Sequence, residues 1–365
     1  MNTNFKSTSK SCLQSYILSS LTGLRATLLP LGGRRGWGRV CFFLLSLLLF
    51  AACSSDNDEQ VQQPQPEKSY PLTIEVTENP MTGDGENSSN RAAITTTSGL
   101  AEFCMDYVYN TSTHGNQVAS IDPAGTWSAD SWPSDAAYSD CNVDWYAHTS
   151  YTKSGSDFTS AFYLTGDHRP YIAFSVVEDV AQQKDLLVAT TSGTWSGTNG
   201  NLSFTFDHAC SALRFWVKKA TNLNDYTLSI SRIVLKNVVK VGNYFFKTSS
   251  WELGATSTEY TLYSGSATTL GHADYIPMDG GTPSYLFFIP QTLAPWNPAG
   301  ALGNTYLEIT CTIYKGSDKV FPAGEGNGTA YMPFGTSFLA GQKYDIMINI
   351  GKNSLYSGPG TKIIP

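Results

Sequence analysis

Residues 202–218 read LSFTFDHACSALRFWVK and contain two short segments in which apolar and polar side chains alternate. Leucine and phenylalanine occupy every second position of residues 202–206, and a second alternation runs through residues 213–218. Successive side chains of a strand point to opposite faces, so this period of two predicts two strands that each bury one face.

Segments of the same type recur on both sides of this stretch. Gly, Asn, Pro and Ser separate them, as expected for turns between short strands, and no long segment shows apolar residues at helical spacing. We therefore expect an all-β protein with two β-sandwich domains in tandem, residues 70–207 and residues 208–365. The other predicted strands cover residues 70–77, 101–109, 145–151, 161–164, 171–177, 186–189, 227–239, 243–246, 260–263, 285–289, 306–314 and 343–350.

The composition favours strands and disfavours nucleic-acid binding. Aromatic residues make up 13% of the 365 residues and charged residues only 15%. Aromatic side chains pack well on pleated surfaces. Phosphate backbones would repel a chain with a formal net charge of −7, so nucleic acid is not an expected partner.

The first 52 residues are typical of an export signal. Three arginines between positions 34 and 39 form a basic region, and residues 41–52, CFFLLSLLLFAA, are apolar. This apolar run is shorter than the roughly 20 residues of a membrane-spanning helix. Two alanines then precede Cys53, which resembles a bacterial lipoprotein signal in which the mature chain starts at a lipid-bearing cysteine. We predict a signal peptide at residues 1–52 and lipidation of Cys53; the alternative is an ordinary signal peptide with an incidental cysteine.

A flexible tether is predicted for residues 53–69. The acidic run at residues 54–59 resembles the surface-export signal of Bacteroidetes lipoproteins, or is simply a solvated linker. Residues 60–67, QVQQPQPE, hold too little apolar surface to fold by themselves.

Neither the cysteines nor the histidines form a motif for metal binding or catalysis. Four cysteines of the predicted body, Cys104, Cys141, Cys210 and Cys311, allow two disulfides in three pairings or remain buried free thiols. There is no HExxH, no GxSxG elbow, no P-loop and no GxGxxG. We predict that the protein is not an enzyme and requires no metal or cofactor. His208 is interpreted as a structural histidine whose ring bonds to backbone.

Six tryptophans raise an alternative function. They could stack on sugar rings, which would make the chain a surface glycan-binding lipoprotein, or they could pack in the core and anchor loops. These residues are Trp127, Trp132, Trp145, Trp195, Trp251 and Trp296.

Four segments together resemble the fimbrillin family of Bacteroidales, the subunits and accessory proteins of type V pili. They are residues 183–189 (QKDLLVA), 202–213 (LSFTFDHACSAL), 288–292 (FIPQT) and 341–351, which begin with GQKY. The resemblance implies two transthyretin-like β-sandwich domains and a fimbrial subunit with a role in adhesion at the outer membrane and cell surface. Its expected partners are other fimbrial subunits, bound by donor-strand exchange, the outer membrane through the lipid, and a surface ligand on host or bacterium.

The same resemblance implies proteolytic processing. In the family, an Arg-specific protease cuts in the loop behind the first strand, and a strand of another subunit then fills the groove. Arg91 suits this role, because it lies in a loop rich in Gly, Asn and Ser, and cleavage would leave Ala92 as the new N-terminus. The alternative is a loop arginine with no processing role. The apolar face of the displaced strand would consist of Leu72, Ile74 and Val76.

The C-terminal residues differ from those of a stalk subunit. Residues 352–365, KNSLYSGPGTKIIP, contain Gly-Pro-Gly and end in proline, which lacks an N–H and interrupts a strand ladder. A long alternating donor strand is not visible there, so we predict a tip or accessory subunit, with a membrane anchor subunit as the alternative.

Overall fold

The computed structural model describes residues 70–83, 99–154, 157–179, 182–255, 257–278 and 285–364. Cys53, Arg91 and Ala92 lie outside the described residues, so lipidation and cleavage stay predictions. No helix within the described ranges is long and apolar enough to cross a membrane.

Strands dominate the described chain, which confirms the all-β prediction. The strands up to His208 are β1 (Thr73–Glu78), β2 (Thr82–Gly83), β3 (Glu102–Tyr109), β4 (Thr113–Ile121), β5 (Trp127–Ser128), β6 (Val143–His148), β7 (Tyr151–Ser154), β8 (Asp157–Ser160), β9 (Phe162–Leu164), β10 (Pro170–Ser175), β11 (Leu187–Gly193) and β12 (Asn201–His208). The later strands are β13 (Ser211–Lys219), β14 (Tyr226–Val239), β15 (Val241–Phe245), β16 (Ser250–Leu253), β17 (Ser257–Thr269), β18 (Ile276–Pro277), β19 (Leu286–Phe288), β20 (Thr292–Leu293), β21 (Tyr306–Lys315), β22 (Asp318–Phe321), β23 (Gly328–Pro333), β24 (Thr336–Ser337), β25 (Gln342–Ile350), β26 (Tyr356–Gly358) and β27 (Thr361–Lys362). The helical elements are short: α1 (Ser134–Tyr138), α2 (Trp195–Thr198) and a 3-10 turn at Thr221–Leu223.

Seven of the earlier strands close into a barrel in the order β1-β12-β11-β6-β3-β4-β5. Strand β1 completes the ring, because it pairs with β12 in parallel and with β5 in antiparallel orientation. The contact with β5 is a single pair, Ile74 opposite Trp127. Closure of this barrel therefore depends on the first strand of the described chain.

The later strands form most of two larger sheets, one of which also includes β2, and a smaller sheet combines strands from before and after His208. One sheet has the order β18-β13-β25-β2 with β19 also on β13, and another runs β17-β14-β21-β23-β26-β27 with β22 on β21. The smaller sheet, β16-β15-β10-β9, joins β15 to β10 in antiparallel orientation. The predicted boundary at residues 207 and 208 stays a prediction.

Three apolar clusters fill the interior. One lies inside the barrel and includes Phe103, Phe204 and Phe206. A second, larger cluster belongs to the later sheets, and a third contains residues from both parts of the chain, among them Met81 and Phe287.

The C-terminal stretch folds back onto its own sheet. Strands β26 and β27 pair with each other, and β26 pairs with β23 at Tyr331 and Tyr356. Leu355 and Ile364, which flank this hairpin, are buried in the larger cluster. The two ends of residues 355–364 are thus anchored in the protein's own core, while most of the hairpin between them is exposed or half-buried.

Candidate functional site: the seat of the first strand

The leading segment, residues 70–83, lies against both the barrel and a later sheet. Its strand β1 follows β12 residue by residue, with Ile74 beside Leu202 and Val76 beside Phe204. Its short strand β2 pairs in parallel with β25, where the Thr82 amide donates to the Gly341 carbonyl over 3.0 Å. We call the surface beneath residues 70–79, formed by β12 with Trp127 and Trp195, the seat.

The inner face of the leading segment is apolar for most of its length. Tyr70, Leu72 and Ile74 are buried in the barrel core, and Val76 is half-buried. The Tyr70 ring packs edge-on against Trp195 with 5.2 Å between ring centroids. Each fully buried apolar side chain of this size contributes roughly 1.5–3 kcal/mol. The structure therefore places Leu72, Ile74 and Val76 on the inward side, as their alternation predicts.

The start of the leading segment comes very close to the turn before β12. The Thr73 amide donates to the Gly200 carbonyl over 2.9 Å, and Gly200 has a φ of +78°. A Cβ on Gly200 would lie only 2.5 Å from the Pro71 carbonyl oxygen and 2.7 Å from the Trp195 ring. Only glycine fits this approach without a shift of the backbone.

The other end of β1 is held by polar contacts. The hydroxyls of Thr77 and Thr205 lie 2.9 Å apart, and the Asn79 side-chain amide donates to Asp207 over 2.7 Å. The Asn79 backbone amide also donates to the Phe206 carbonyl over 2.9 Å. The two side-chain bonds face outward, so they fix the end of the strand but bury little surface.

On the inward side, the same end terminates in a cluster of three ionisable residues, the His208 cluster of Glu78, Asp185 and His208. The Nε2 of His208 lies 2.9 Å from Glu78 Oε1, and its Nδ1 contacts Asp185 Oδ2. The side chains of His208 and Asp185 are almost completely buried, and that of Glu78 is 13% exposed. Our interpretation of His208 as bonded to backbone was therefore wrong, because both ring nitrogens face carboxylates.

The electrostatics of the His208 cluster favour a charged imidazole. Burial opposes protonation of His208, but the hydrogen bonds and charges of Asp185 and Glu78 outweigh it and raise the pKa of His208 above its ordinary value. Burial raises the pKa of the Asp185 carboxyl, against the effect of its contact with His208. An imidazole donates from both nitrogens only when protonated, which matches the two contacts.

A second buried polar group combines Cys104, Asp106, His148 and Ser160. The ligand-type atoms of the first three lie within 4.8 Å of one another, close enough to hold a metal ion. However, the Ser150 amide donates to His148 Nδ1 over 3.1 Å, so Nε2 carries the proton, which it donates to Asp106 over 2.7 Å. A protonated nitrogen cannot bind a metal.

The same group does not form a catalytic triad. The Ser160 hydroxyl donates over 2.7 Å to the Asp106 oxygen that His148 also contacts. Both side-chain partners of His148, Asp106 and Ser160, lie at its Nε2. A triad needs the nucleophile and the orienting carboxylate on opposite nitrogens of the histidine. His148 and Asp106 are also completely buried, so this group stabilises β3 against β6 and reaches no substrate.

The tryptophans and the free cysteines lie in the interior. Trp127, Trp132, Trp145 and Trp296 are buried and cannot stack on a sugar ring, while Trp195 and Trp251 are half-buried. Cys104, Cys210 and Cys311 are free and buried, so none of them forms a disulfide. Burial raises the pKa of Cys311 to about 12, which makes it an inert thiol.

Sequence reasoning identified His208 and the apolar face but missed Glu78 and Asp185 as partners. Glu78 continues the period-two pattern of residues 72–76 by one step, and Asp185 lies within the QKDLLVA segment. The signal that could have identified Glu78 is a carboxylate on the inward side of a predicted strand, which requires a buried partner.

Comparison with known proteins gives one family match and several structural similarities. The profile of a family described as fimbrillin-like matches residues 64–363. A fimbrial protein from Bacteroides vulgatus is 18% identical, with 77% of this chain and 95% of that chain covered and a TM-score of 0.47. A candidate cell adhesion protein from Bacteroides uniformis is 16% identical, covering 80% and 96%, with a TM-score of 0.40. The fimbrial anchor protein Mfa2 from Porphyromonas gingivalis is 12% identical, covering 69% and 81%, with a TM-score of 0.29. No curated protein matches the chain.

Proposed function

Because this chain belongs to the fimbrillin-like family, we propose that it is a surface fimbrial subunit that releases its leading segment and accepts a strand of another subunit in its place. The observation that carries this proposal is the position of β1 in the barrel. It completes the ring through a full parallel ladder with β12 but only one pair with β5. Loss of β1 would expose the backbone edge of β12 and the apolar core side chains that β1 covers.

The chemistry of the vacated seat supports capture of another strand. A departing leading segment removes two buried apolar side chains, Leu72 and Ile74, and the half-buried Val76 from the core. It also leaves backbone groups of β12 without ladder partners. An incoming extended segment would restore the ladder and place alternate side chains into the same pockets, as in β-augmentation.

Processing after Arg91 would make this release possible. Cleavage there separates the leading segment from β3 and leaves Ala92 as the N-terminus of the body. The segment then remains bound only by its own contacts and can be displaced by a competing strand. Lipidation at Cys53, which precedes the segment, would hold the precursor at the outer membrane before cleavage.

The packing of the C-terminal stretch supports a tip or accessory role. The hairpin of residues 355–364 pairs within its own sheet, and its two ends, Leu355 and Ile364, are buried, with Ile364 only 1% exposed. Their use as a donor strand would require this hairpin to detach and Leu355 and Ile364 to leave the core. We propose that this subunit accepts a strand rather than donating residues 355–364, and retain the two transthyretin-like sandwiches as its proposed architecture.

The test is incorporation into filaments in cells that make the native fimbria. Arg91→Ala and Arg91→Lys should both block incorporation while the protein remains folded and exported, because an Arg-specific protease cuts neither. Arg169→Ala is the matched control, since Arg169 has an exposed side chain in the turn before β10. Incorporation of both Arg91 variants at the wild-type level would show that strand release is not needed, and a permanent anchor would then be the better assignment.

A further inference from the structure

The inward positions of the leading segment follow one pattern from end to end. Tyr70, Leu72, Ile74 and Val76 supply one aromatic and three aliphatic anchors, and Glu78 supplies a carboxylate at the fifth position. The inward positions of β12 match them in parallel, since Leu202, Phe204 and Phe206 precede His208 with the same spacing. The seat is thus apolar along its length and basic at one end.

The three aliphatic anchors alone do not define a register. A strand displaced by one residue would turn its polar face inward, but one displaced by two residues would keep aliphatic side chains over the same core. The contact of 2.9 Å between Glu78 and His208 Nε2 distinguishes these registers. It forms in the observed register, and a shift by two residues would move the carboxylate away from the imidazole. A displaced strand would leave a nearly buried ring nitrogen without an acceptor.

We propose that the seat selects its occupant by a carboxylate that reaches His208. The partner it fits is an extended segment of another subunit that runs parallel to β12 and carries aliphatic residues at three alternate positions followed, two residues on, by Asp or Glu. This inference rests on the proposed function and adds to it the kind of strand that is accepted.

The position of Asp185 explains why the second carboxylate must come from outside. Asp185 is completely buried and contacts Nδ1 from the side of β11, so it cannot also serve Nε2 on the side of the leading segment. Asp207, which precedes His208, is exposed and accepts from Asn79. Within the described residues, the carboxylate at Nε2 is Glu78 of the leading segment, and the carboxylate at Nδ1 is Asp185.

The test uses the full chain, cut between residues 84 and 98 at an inserted protease site so that the cut does not depend on Arg91. A fluorescent peptide of residues 70–83 is added in excess, and its capture is followed by anisotropy. The parent peptide should enter the seat. The Glu78→Gln peptide should bind on the order of tenfold or more weakly, because a neutral amide replaces a charge-assisted bond. Glu75→Gln is the matched control, since Glu75 lies on the exposed face of the same strand and should leave capture unchanged.

The outcomes separate the two proposals. If the parent and Glu78→Gln peptides bind equally well, the selection by carboxylate is wrong while strand exchange stands. If the parent peptide itself is not captured, no outside strand enters the seat. Both proposals, strand exchange and selection by a carboxylate, would then be wrong. Equal weakening by Glu75→Gln and Glu78→Gln would also overturn the inference, because it would reduce the effect to net charge.

Discussion

His208 connects three segments that are far apart in the sequence. It ends β12, contacts Asp185 just before β11, and reaches Glu78 at the end of β1. Hydrogen bonds to charged groups contribute about 1.5–3 kcal/mol, more than most neutral bonds. Because the contact between His208 and Glu78 is also nearly buried, it should stabilise the leading segment more than the solvent-exposed bonds of Thr77 and Asn79 do.

The contribution of Glu78 should depend on pH. Because the two carboxylates raise the pKa of His208 above its ordinary value of about 6.5, the bound proton stabilises the folded state below that value. This stabilisation is lost as the pH rises through the raised pKa. Glu78→Gln should therefore lower the free energy of unfolding by about 1–2 kcal/mol near pH 6 and by less near pH 9, measured by urea denaturation.

Glu75→Gln provides the control for this pH dependence. Glu75 lies on the exposed face of β1, and surface substitutions of this kind usually change stability by less than about 0.5 kcal/mol. The titratable groups around His208 are Glu78 and Asp185, with Cys210 next to Asp185. A cost of Glu78→Gln that is the same at both pH values would contradict the assignment of a charged imidazole.

Gly200 is the other residue on which the seat depends. Gly200→Ala should destabilise the protein by roughly 2 kcal/mol or more, because the positive φ is strained for alanine and the new Cβ meets the Pro71 carbonyl and the Trp195 ring. Gly125→Ala isolates the backbone term, since Gly125 has a φ of +88° and an open space around its Cβ position. Equal destabilisation by the two substitutions, measured by thermal unfolding, would show that the close approach is unimportant.

At the scale of elements, periodicity identified the strands whose inward positions are apolar. Residues 202–206 and 213–218 lie within β12 and β13, whose burial alternates along the strand as expected. Strand β4 was not predicted, because its inward position at Gln117 is polar. The structure satisfies Gln117 through the backbone of Ser131, with contacts of 3.1 and 3.3 Å in the two directions. Such a partner comes from another part of the chain and leaves no periodic signal.

The candidate site could be predicted only in part from the sequence, for the same reason. The alternation of Leu72, Ile74 and Val76 is local and predicts an inward face directly. The parallel pairing of β1 with β12 joins residues about 128 positions apart, as in the bond between Thr77 and Thr205, and no local pattern encodes such a pairing. The partners of His208 depend on that pairing, so they required the structure.

Limited proteolysis tests whether the chain between the leading segment and β3 is cut more readily than the paired strands. Among the arginines of the predicted body, trypsin should cut the folded protein first at Arg91. Arg214 and Arg232 lie inside β13 and β14, and the turn that holds Arg169 is closed by bonds of 2.9 and 3.0 Å to Thr165. Paired backbone of this kind cannot enter a protease active site without local unfolding. Mass spectrometry of the early fragments identifies the site, and a first cut at Arg169, Arg214 or Arg232 would contradict the prediction.

At the scale of the whole molecule, the leading segment bonds with two separate sheets. Strand β1 closes the barrel, β2 pairs with β25, and Met81 lies in the cluster shared by both parts of the chain. A strand from another subunit that replaces β1 would therefore close the barrel again. The pairing of β2 with β25 would be restored only if the incoming segment also reaches β25. A donor long enough to cover residues 70–83 would bind more strongly than one that covers β1 alone.

Attachment to the membrane is the remaining whole-molecule prediction. If Cys53 carries the lipid, Cys53→Ala should abolish labelling by a fatty-acid probe and release the protein from the outer membrane fraction. The reason is that burial of acyl chains in the bilayer binds the protein to the membrane, and each buried CH₂ contributes about 0.8 kcal/mol. Stable anchoring needs more than one such chain or a second membrane-binding signal. Cys41→Ala is the matched control, because Cys41 lies in the apolar run that the signal peptidase removes. Labelling that persists in Cys53→Ala, or disappears equally in Cys41→Ala, would place the attachment elsewhere, and the leading segment would then follow an ordinary signal peptide.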